Sequence, residues 1–315
     1  MKKLILWLFV FCIVGGVPFH SCEDDADKPV FPLSAVIFHS IDGKQVAFTA
    51  LTHSAVSWAW DFGDGNTSTE KDPVYVYEEG GYYVATLTAK DENGTTATSK
   101  VKLAIDLPPY ALLTGNHTAE GYNGKTWRLA ADHGTGGDYF ANADAGLTTA
   151  KGTPRPLPNG VFGQLGMPDV YKDEFTFRYD GSYKHNVKED GASFGGLVYQ
   201  YVLNGAADVI NANGADYGLC IAKYTPEASA TFSYVENENF QVSSVYGAGG
   251  KITFNNVSTL DFSGTEFIGF RDFQRKVILK SISDNRMQLI MFMAASDKYI
   301  GINTHALVLS FEVVQ

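Results

Sequence analysis

Residues 58–69 read WAWDFGDGNTST, and this stretch decides the fold of the first third of the chain. Trp58, Trp60 and Phe62 alternate with small or polar residues, which is the period-two pattern of a β-strand with one buried face. Two glycines follow in the GDG triplet, and glycine readily adopts the positive φ angles of a tight turn. The stretch therefore predicts a strand that buries aromatic side chains and ends in a sharp turn.

Strands with the same alternation flank this stretch, separated by the turn sequences GDGN and DENG. The residues predicted to share the buried face are Val46, Phe48 and Ala50 in QVAFTAL, and Tyr83, Ala85, Leu87 and Ala89 in YYVATLTAKD. The segment KVKLAI closes the unit. Asp61 and Asp64 are expected to fix the turn by accepting backbone N–H bonds, rather than to act as a catalytic pair.

The first stretch, together with DPVYVYEEGGYYVATLTAKDENGTTAT at residues 72–98, resembles the polycystic kidney disease (PKD) domain. The resemblance covers residues 33–106 and implies an immunoglobulin-like β-sandwich. PKD domains act mostly as spacers or interaction modules, so the resemblance implies no chemistry here. The residues that carry it are Trp60, Asp61, Phe62, Gly63, Asp64, Gly65, Pro73, Tyr77, Gly81, Tyr83, Val84, Leu87, Asp91 and Gly94.

The composition limits the class of protein. The 315 residues suffice for two domains, and 32 glycines with 13% aromatic residues favour strands joined by tight turns. Periodic runs of helix-favouring residues do not occur, so the sequence predicts an all-β protein. The formal net charge of −11 argues against nucleic acid as a partner, because an acidic surface repels phosphate.

The first 21 residues have the anatomy of a secretory signal peptide. Lys2 and Lys3 precede an apolar run that is shorter than the about 20 residues of a transmembrane helix. The following PFHSCEDD resembles the lipobox of bacterial lipoproteins, and its acidic residues resemble the surface-export signal of Bacteroidota lipoproteins. The resemblance implies lipidation at Cys22, a tether over residues 22–32, and a protein held on the outer membrane by its lipid anchor alone, facing the cell exterior.

Residues 110–315 are predicted to form a second domain, because Pro108 and Pro109 break the preceding strand and indicate a linker. DEFTFRYDGSYKHNV at residues 173–187 predicts a hairpin that turns at its Asp-Gly pair. Strands separated by polar turns favour a larger, jelly-roll-like β-sandwich. The expected strands are GLVYQYVL, ASATFSYV, GKITFNNV, EFIGFR, KVILKSI, RMQLIMFMA and ALVLSFEVV.

Five motifs are spread over residues 120–315: GKTWRLA, DEFTF, FSGTEFIGF, VILKSISDNRMQLIM and LSFEVV. They resemble a family of Bacteroidota lipoproteins in which a PKD domain precedes a C-terminal β-sandwich, and whose genes lie among those for polysaccharide capture and breakdown. The resemblance implies a surface glycan-binding protein whose partners are polysaccharides or oligosaccharides and an outer-membrane glycan transport complex. The Gly/Pro-rich insert between Arg128 and Asp173 departs from the pattern, so no binding site is carried over there.

Glycan binding needs exposed aromatic rings beside polar side chains, because sugar C–H faces stack on rings while sugar hydroxyls form hydrogen bonds. Tyr139 and Phe140 in a glycine-rich loop, Tyr217 in NGADYG and Tyr246 in SSVYGAGG are the best-placed candidates. Trp127 in GKTWRLA is the fifth, although its place at the start of a strand favours the core. For each tyrosine the alternative is a sandwich-edge residue with its hydroxyl in water.

An enzyme is the first alternative to a binding protein. Glycoside hydrolysis uses two carboxylates about 5 to 9.5 Å apart, whereas the adjacent Asp173 and Glu174 point to opposite faces of a strand. Asp173 is expected to cap a turn and Glu174 to face water. The sequence contains no GxSxG, HExxH or P-loop motif. Acids distant in sequence leave a glycoside hydrolase or lyase open, and an adhesion or structural surface protein is the second alternative.

The sequence predicts no cofactor. Cys220 in GLCIA is expected to be a buried apolar residue, and the three cysteines suggest neither a disulfide framework nor a metal cluster. His133 and His305 are isolated, as ordinary surface histidines are, rather than grouped as zinc ligands. A structural calcium ion held by Asp132, Asp138 and loop carbonyls is compatible with a jelly roll, but the spacing does not require one.

Overall fold

The computed structural model describes residues 31–149 and 154–314. The strands before residue 106 and those after residue 124 share no sheet in this part of the chain. The predicted signal peptide, Cys22 and most of the tether lie outside the described residues. Within those residues, every helix is too short or too polar to cross a membrane.

Residues 34–105 form a β-sandwich of two antiparallel sheets. Its seven strands are β1 (Ser34–Asp42), β2 (Gln45–His53), β3 (Ser57–Asp61), β4 (Thr67–Ser68), β5 (Val74–Val76), β6 (Gly81–Lys90) and β7 (Thr96–Ile105). The first sheet has the strand order β1-β2-β5, and the second has the order β4-β3-β6-β7. The all-β sandwich predicted for this third of the chain is confirmed.

The core of this sandwich contains the side chains that the alternation predicted. Val46, Phe48 and Trp60 are at most 2% exposed, and the Phe48 ring centroid lies 5.1 Å from that of Trp60. Tyr77 is also buried, and its hydroxyl donates a hydrogen bond of 2.9 Å to the carbonyl of Phe62. The one polar atom of the Tyr77 side chain is therefore satisfied inside an apolar cluster.

The GDG turn has the geometry that its glycines predict. Gly63 has a φ of 84°, and a Cβ there would approach the carbonyl oxygen of Val84 to 2.6 Å. Asp61 accepts a hydrogen bond of 2.8 Å from the amide of Gly63, and Asp64 accepts one of 3.0 Å from the amide of Asn66. Both carboxylates thus bind loop amides, which confirms their predicted structural role.

The second domain is also built mainly from strands. They are β8 (Lys125–Leu129), β9 (Tyr139–Asn142), β10 (Arg155–Pro156), β11 (Glu174–Phe177), β12 (Tyr183–Asn186), β13 (Ala192–Gly196), β14 (Val209–Asn211), β15 (Leu219–Lys223), β16 (Phe232–Ser243), β17 (Lys251–Phe262), β18 (Val277–Ile282), β19 (Arg286–Met293) and β20 (His305–Val313). The α-helices are α1 (Pro109–Thr114), α2 (His133–Gly136), α3 (Val161–Gln164) and α4 (Leu197–Leu203). Short 3-10 helices span Pro168–Tyr171, Ala206–Asp208, Ala215–Tyr217, Ala248–Gly250 and Asp297–Tyr299.

Two sheets make up the layers of this domain. The larger has ten strands, with the path β12-β11-β8-β20-β19-β18-β17-β16 and with β9 and β10 added beside β20. The smaller has the order β13-β15-β14. Phe194 and Ile221 of the smaller sheet share one buried cluster with Leu289 and Met291 of the larger sheet. The predicted larger β-sandwich is confirmed, and its last five strands follow one another as an antiparallel meander.

The predicted hairpin is present. Strands β11 and β12 pair antiparallel with Phe175 opposite His185, and Gly181 takes a φ of 84° in the turn between them. Cys220 on β15 is buried as expected, and burial raises the pKa of its thiol to about 12. The thiol is therefore an inert part of the core near neutral pH.

Three segments differ from the prediction. GLVYQYVL contains helix α4 rather than a strand, because the amide of Asn204 bonds back to the carbonyl of Gln200 and Gly205, at a φ of 84°, ends the turn. EFIGFR forms no strand, since Gly269 has a φ of 69° where its backbone passes the Phe311 ring. The predicted linker begins helix α1 at Pro109, because proline fits the first helical turn.

Candidate functional site

A groove of about 400 Å³ opens beside strands β9 and β10. The two strands pair antiparallel, with Arg155 opposite Phe140 and Pro156 opposite Tyr139. Residues directly opposite each other point to the same face of a sheet, while successive residues point to opposite faces. The register therefore places Arg155 and Phe140 next to each other on one face of the two strands, and both residues line the groove.

A second aromatic ring and an amide complete the groove. Tyr217 ends a 3-10 helix that Gly218 closes at a φ of 74°, and it is 49% exposed. Gln164 ends helix α3, and its side-chain amide donates a hydrogen bond of 2.8 Å to the carbonyl of Asn159. The described residues that line the groove are Phe140, Arg155, Pro156, Leu157, Pro158, Val161, Phe162, Gln164, Leu165, Tyr217, Leu219 and Leu307.

The composition of this lining defines what the groove can do. It offers the rings of Phe140 and Tyr217, one cation and one amide on an apolar floor that includes the buried ring of Phe162. The described lining residues include no carboxylate, histidine or cysteine. These groups suit the binding of a hydroxylated ligand better than acid–base or nucleophilic chemistry.

The structure places only two of the five predicted glycan-binding residues, Phe140 and Tyr217, in one groove. Tyr139 packs against a separate core cluster with the Lys280 ammonium 5.0 Å from its ring centre, and burial raises the pKa of its phenol. Tyr246 lies in the turn between β16 and β17 and is 48% exposed.

Trp127 is corrected from a candidate platform to a core residue. Its side chain is fully buried, and its indole N–H donates a hydrogen bond of 2.9 Å to the carbonyl of Leu113. Neither face of the ring is open to a sugar. The position at the start of a strand, which favoured the core, was the better guide.

Arg155 and Gln164 were missed by the sequence reasoning because they lie in the Gly/Pro-rich insert. Strand β10 has only two residues, which is too short to show any alternation. A usable signal was the sequence Pro154-Arg155-Pro156, since a residue that precedes proline is held extended. An extended arginine flanked by prolines presents its guanidinium group at the surface, and Arg155 is indeed exposed.

Asp132 and Asp138, the residues named for a possible calcium ion, are both bound by protein donors. Asp132 accepts hydrogen bonds of 2.8 and 3.0 Å from Arg286, and Asp138 accepts bonds from His133 and from the hydroxyl and amide of Ser310. The carboxylate oxygens are thus engaged by protein donors. His133, expected at the surface, is fully buried in this network. Over residues 31–149 and 154–314, no group of three His, Cys, Asp or Glu side chains is arranged to hold a metal ion.

A second buried cluster surrounds Asp173. Its Oδ2 accepts a bond of 2.6 Å from Ser193, whose hydroxyl lies 3.2 Å from His185 Nε2, and His185 Nδ1 lies 3.3 Å from Glu266. Burial lowers the pKa of His185, but hydrogen bonds with Asp173 and Glu266 outweigh it and leave the pKa raised. All four residues are at most 5% exposed. A substrate therefore cannot reach the Ser193 hydroxyl, and the cluster cross-links the fold.

The two adjacent acids of this region do not behave as expected from the sequence. Asp173 caps no turn but is buried in the cluster just described. Glu174 is half-buried and pairs with the ammonium group of Lys188. The expected separation of the two side chains is still seen, because only Asp173 enters the core.

Comparison with known proteins identifies the first domain. The family model for the PKD domain matches residues 39–105. Collagenase ColA of Bacillus cereus is 33% identical over 78 residues, which cover 25% of this chain and 8% of the collagenase. The chain spans at most 8% of the length of the curated relatives that it matches.

Two solved structures are similar to this chain, one over the first domain and one over most of its length. The PKD1 domain of Vibrio anguillarum Epp is 33% identical, covers 24% of this chain and 93% of its own, and has a TM-score of 0.23. A structure of carbohydrate-binding modules from the β-sandwich superfamily is 12% identical, covers 91% of this chain and 93% of its own, and has a TM-score of 0.25. TM-scores this low support no conclusion about the fold or the ligand of this chain. The family match establishes that residues 39–105 of this chain form a PKD domain.

Proposed function

We propose that the protein binds polysaccharide at the bacterial outer surface without cleaving it, and so holds glycan for uptake. The observation that carries the proposal is the groove in which the rings of Phe140 and Tyr217 lie beside Arg155 and Gln164. An aromatic ring offers a flat apolar surface to the C–H face of a sugar. The amide and guanidinium groups supply hydrogen bonds to its hydroxyls.

The absence of acids from the groove supports binding over hydrolysis. Glycoside hydrolysis needs two carboxylates on either side of the bond that is cleaved. No carboxylate stands among the described residues that line the groove, and the buried acid Asp173 is closed to substrate. A sugar bound in the groove thus has no acid and base pair beside its glycosidic bond.

In this proposal the chain is anchored to the outer membrane through a lipid on Cys22. The tether and the PKD domain hold the second domain away from the membrane, and the glycan passes to an outer-membrane transport complex. The leader sequence and the acidic residues after Cys22 support the anchor. The PKD domain supports the spacer, since it is a compact sandwich between the tether and the groove.

Replacing Tyr217 with alanine is expected to weaken polysaccharide binding about tenfold, because the groove loses an exposed stacking ring. A tenfold loss corresponds to about 1.4 kcal/mol, which is within the range of aromatic contacts. The measurement is retardation in native affinity gels that contain galactomannan, xylan, dextran, alginate or polygalacturonate. Release of reducing sugar is assayed in parallel on residues 23–315, which include both domains.

Tyr201→Ala is the matched control for this experiment. Tyr201 is also 49% exposed, but it lies on helix α4 and does not line the groove. Its variant should be retarded as strongly as the unmodified protein. Equal retardation of the Tyr217→Ala and Tyr201→Ala variants would place binding outside the groove, and release of reducing sugar would refute the non-catalytic function.

Adhesion to a protein surface is a second candidate, favoured by the outer face of the sheet β1-β2-β5. Val36, Phe38, Leu51, Val74 and Val76 are each between 54% and 62% exposed, and Val36 lies directly opposite Leu51. Apolar patches of this kind mark interaction sites. Collagen is the first surface to test, because the relatives that match the PKD domain include collagenases.

If the apolar face mediates adhesion, Phe38→Asp is expected to reduce retention on immobilised collagen at least tenfold. The charged side chain would have to be desolvated on contact, which is costly. The retardation of the same variant by glycan should be unchanged, because Phe38 does not line the groove. Equal retention of the unmodified protein on collagen and on albumin would rule out adhesion to collagen.

A further inference from the structure

A cleft of about 450 Å³ lies where the PKD domain meets the second domain. Tyr82 and Tyr83 of strand β6 line one side of the cleft. Tyr110, His117 and Tyr179 line the other side. Residues with ring side chains from two domains therefore line one space, and clefts between domains are preferred places for ligand sites.

The rings form a series that crosses the domain boundary. The centroids of Tyr82 and His117 are 6.5 Å apart at 76°, and His117 stacks on Tyr179 at 3.8 Å and 14°. Tyr110 meets Tyr179 at 5.7 Å and 67°. Tyr179 is 47% exposed, so much of its surface is open to solvent. Such a series presents ring surfaces on which a chain of sugar residues can rest.

Hydrogen bonds hold this arrangement in place before any ligand binds. The Tyr110 hydroxyl donates to the carbonyl of Tyr179 at 2.9 Å, and the Tyr122 hydroxyl accepts from the amide of Tyr179 at 2.8 Å. The Tyr83 hydroxyl donates to the carbonyl of Glu79 at 2.9 Å. Because these groups are already fixed, a ligand would not have to order them.

The charge of the cleft selects among ligands. Glu79 is its only charged lining residue among those described, and neither lysine nor arginine faces it. Burial lowers the pKa of His117, so its imidazole is neutral near neutral pH. An anionic ligand would find a carboxylate and no cation, whereas Arg155 offers a cation in the groove of the second domain. The cleft therefore suits a neutral, hydroxylated ligand.

We propose that this cleft is a second saccharide site, which binds a neutral oligosaccharide against rings from both domains. The proposal rests on the glycan-binding function proposed above. It adds that the PKD domain contributes directly to binding as well as holding the second domain away from the membrane. Two separate sites on one chain would let a single long polysaccharide engage both, and the second engagement becomes intramolecular.

The test is the stoichiometry of binding measured by calorimetry. Residues 23–315 are titrated with maltohexaose, cellohexaose, mannohexaose and xylohexaose, which are neutral probes. The unmodified protein is expected to bind two equivalents of at least one of them. Tyr179→Ala and Tyr82→Ala should each bind one equivalent of oligosaccharide, because each removes a ring from the cleft. Tyr217→Ala should bind one equivalent with unchanged affinity, through the cleft that it leaves intact, while its groove binds about tenfold more weakly.

Controls separate this proposal from the function on which it rests. Tyr201→Ala should bind two equivalents, and the thermal unfolding of every variant should match that of the unmodified protein. If Tyr217→Ala removes all binding while Tyr179→Ala and Tyr82→Ala change nothing, the cleft site is wrong and the groove stands. If Tyr217→Ala changes nothing while Tyr179→Ala removes all binding, the groove is wrong and the cleft stands. Failure of the unmodified protein to bind any of the four probes would contradict the cleft site.

Discussion

Replacing Asp138 with alanine is expected to lower the free energy of unfolding of the second domain by roughly 3–5 kcal/mol. Asp138 is 1% exposed and accepts bonds from His133, Gln288 and both donors of Ser310, at 2.6 to 3.0 Å. These donors belong to the segment before β9 and to strands β19 and β20. Without the carboxylate the His133 ring nitrogen and the Ser310 donors lose this partner while buried, although the Gln288 amide keeps its bond to the carbonyl of Gly136. The cost therefore exceeds that of one lost bond.

The pH dependence of this loss follows from the pKa of Asp138. Burial raises that pKa, but the bonds from His133, Ser310 and Gln288 together outweigh it and leave it below the ordinary value of 3.8. A lowered pKa contributes stability that is present above the unfolded value and is lost as the pH falls through the folded value. Asparagine cannot ionise, so Asp138→Asn isolates the effect of the charge. The difference in free energy of unfolding between this variant and the unmodified protein should therefore narrow below about pH 3.8.

The measurement for Asp138 is chemical unfolding of residues 23–315, with each domain followed separately. Asp216→Ala is the control, because Asp216 is exposed and its loss should change stability by less than about 0.5 kcal/mol. The PKD domain should unfold as before in both variants. If Asp138→Ala changes the free energy of unfolding as little as Asp216→Ala does, the buried network adds no net stability.

The fold was predictable wherever a strand has one buried face. Trp60 and Phe48 alternate with polar neighbours, and both are in the core. Prediction failed where tertiary contacts decide the backbone. Gly269 interrupts EFIGFR because the backbone passes the Phe311 ring. Contacts of this kind join residues that are distant in sequence, so no local pattern indicates them.

The candidate site was predictable only in part, for a related reason. Phe140 and Tyr217 are aromatic residues in glycine-rich segments, which is a local signal for exposure. That they line the same groove depends on the pairing of β9 with β10 and on the position of the 3-10 helix that holds Tyr217. The cleft between the domains was not predicted at all, because Tyr82 and Tyr179 come from strands and turns of different domains.

Replacing Asp272 with asparagine is expected to stabilise the second domain at pH 8 and to have little effect at pH 4. The Asp272 side chain is fully buried, and its Oδ2 has no hydrogen-bond partner among the described residues. Burial raises its pKa to about 7, although the amides of Phe273 and Ala294 oppose the rise. Near pH 8 the folded protein must therefore hold in its core an ionised carboxylate with one unpaired oxygen.

The sign of the pH effect of Asp272 follows from the raised pKa. Between about pH 3.8 and 7 the folded state holds a proton that the unfolded state releases, so stability falls as the pH rises through this window. Each pKa unit corresponds to 1.36 kcal/mol, so the free energy of unfolding falls by on the order of 4 kcal/mol over this window. His185 also has a raised pKa and acts in the same direction, so only the difference between variant and unmodified protein isolates Asp272.

Chemical unfolding at several pH values from 4 to 8 measures this difference. An asparagine amide keeps the acceptor for Phe273 and carries no charge, so the stability of Asp272→Asn should vary less with pH than that of the unmodified protein. Asp216→Asn, at an exposed position, should follow the unmodified curve. If the stability of Asp272→Asn varies with pH as that of the unmodified protein does, the Asp272 carboxyl has an ordinary pKa and the core around it admits water. If the free energies of unfolding of the two proteins instead converge toward pH 4, the protonated acid is the form of Asp272 that the folded core accommodates.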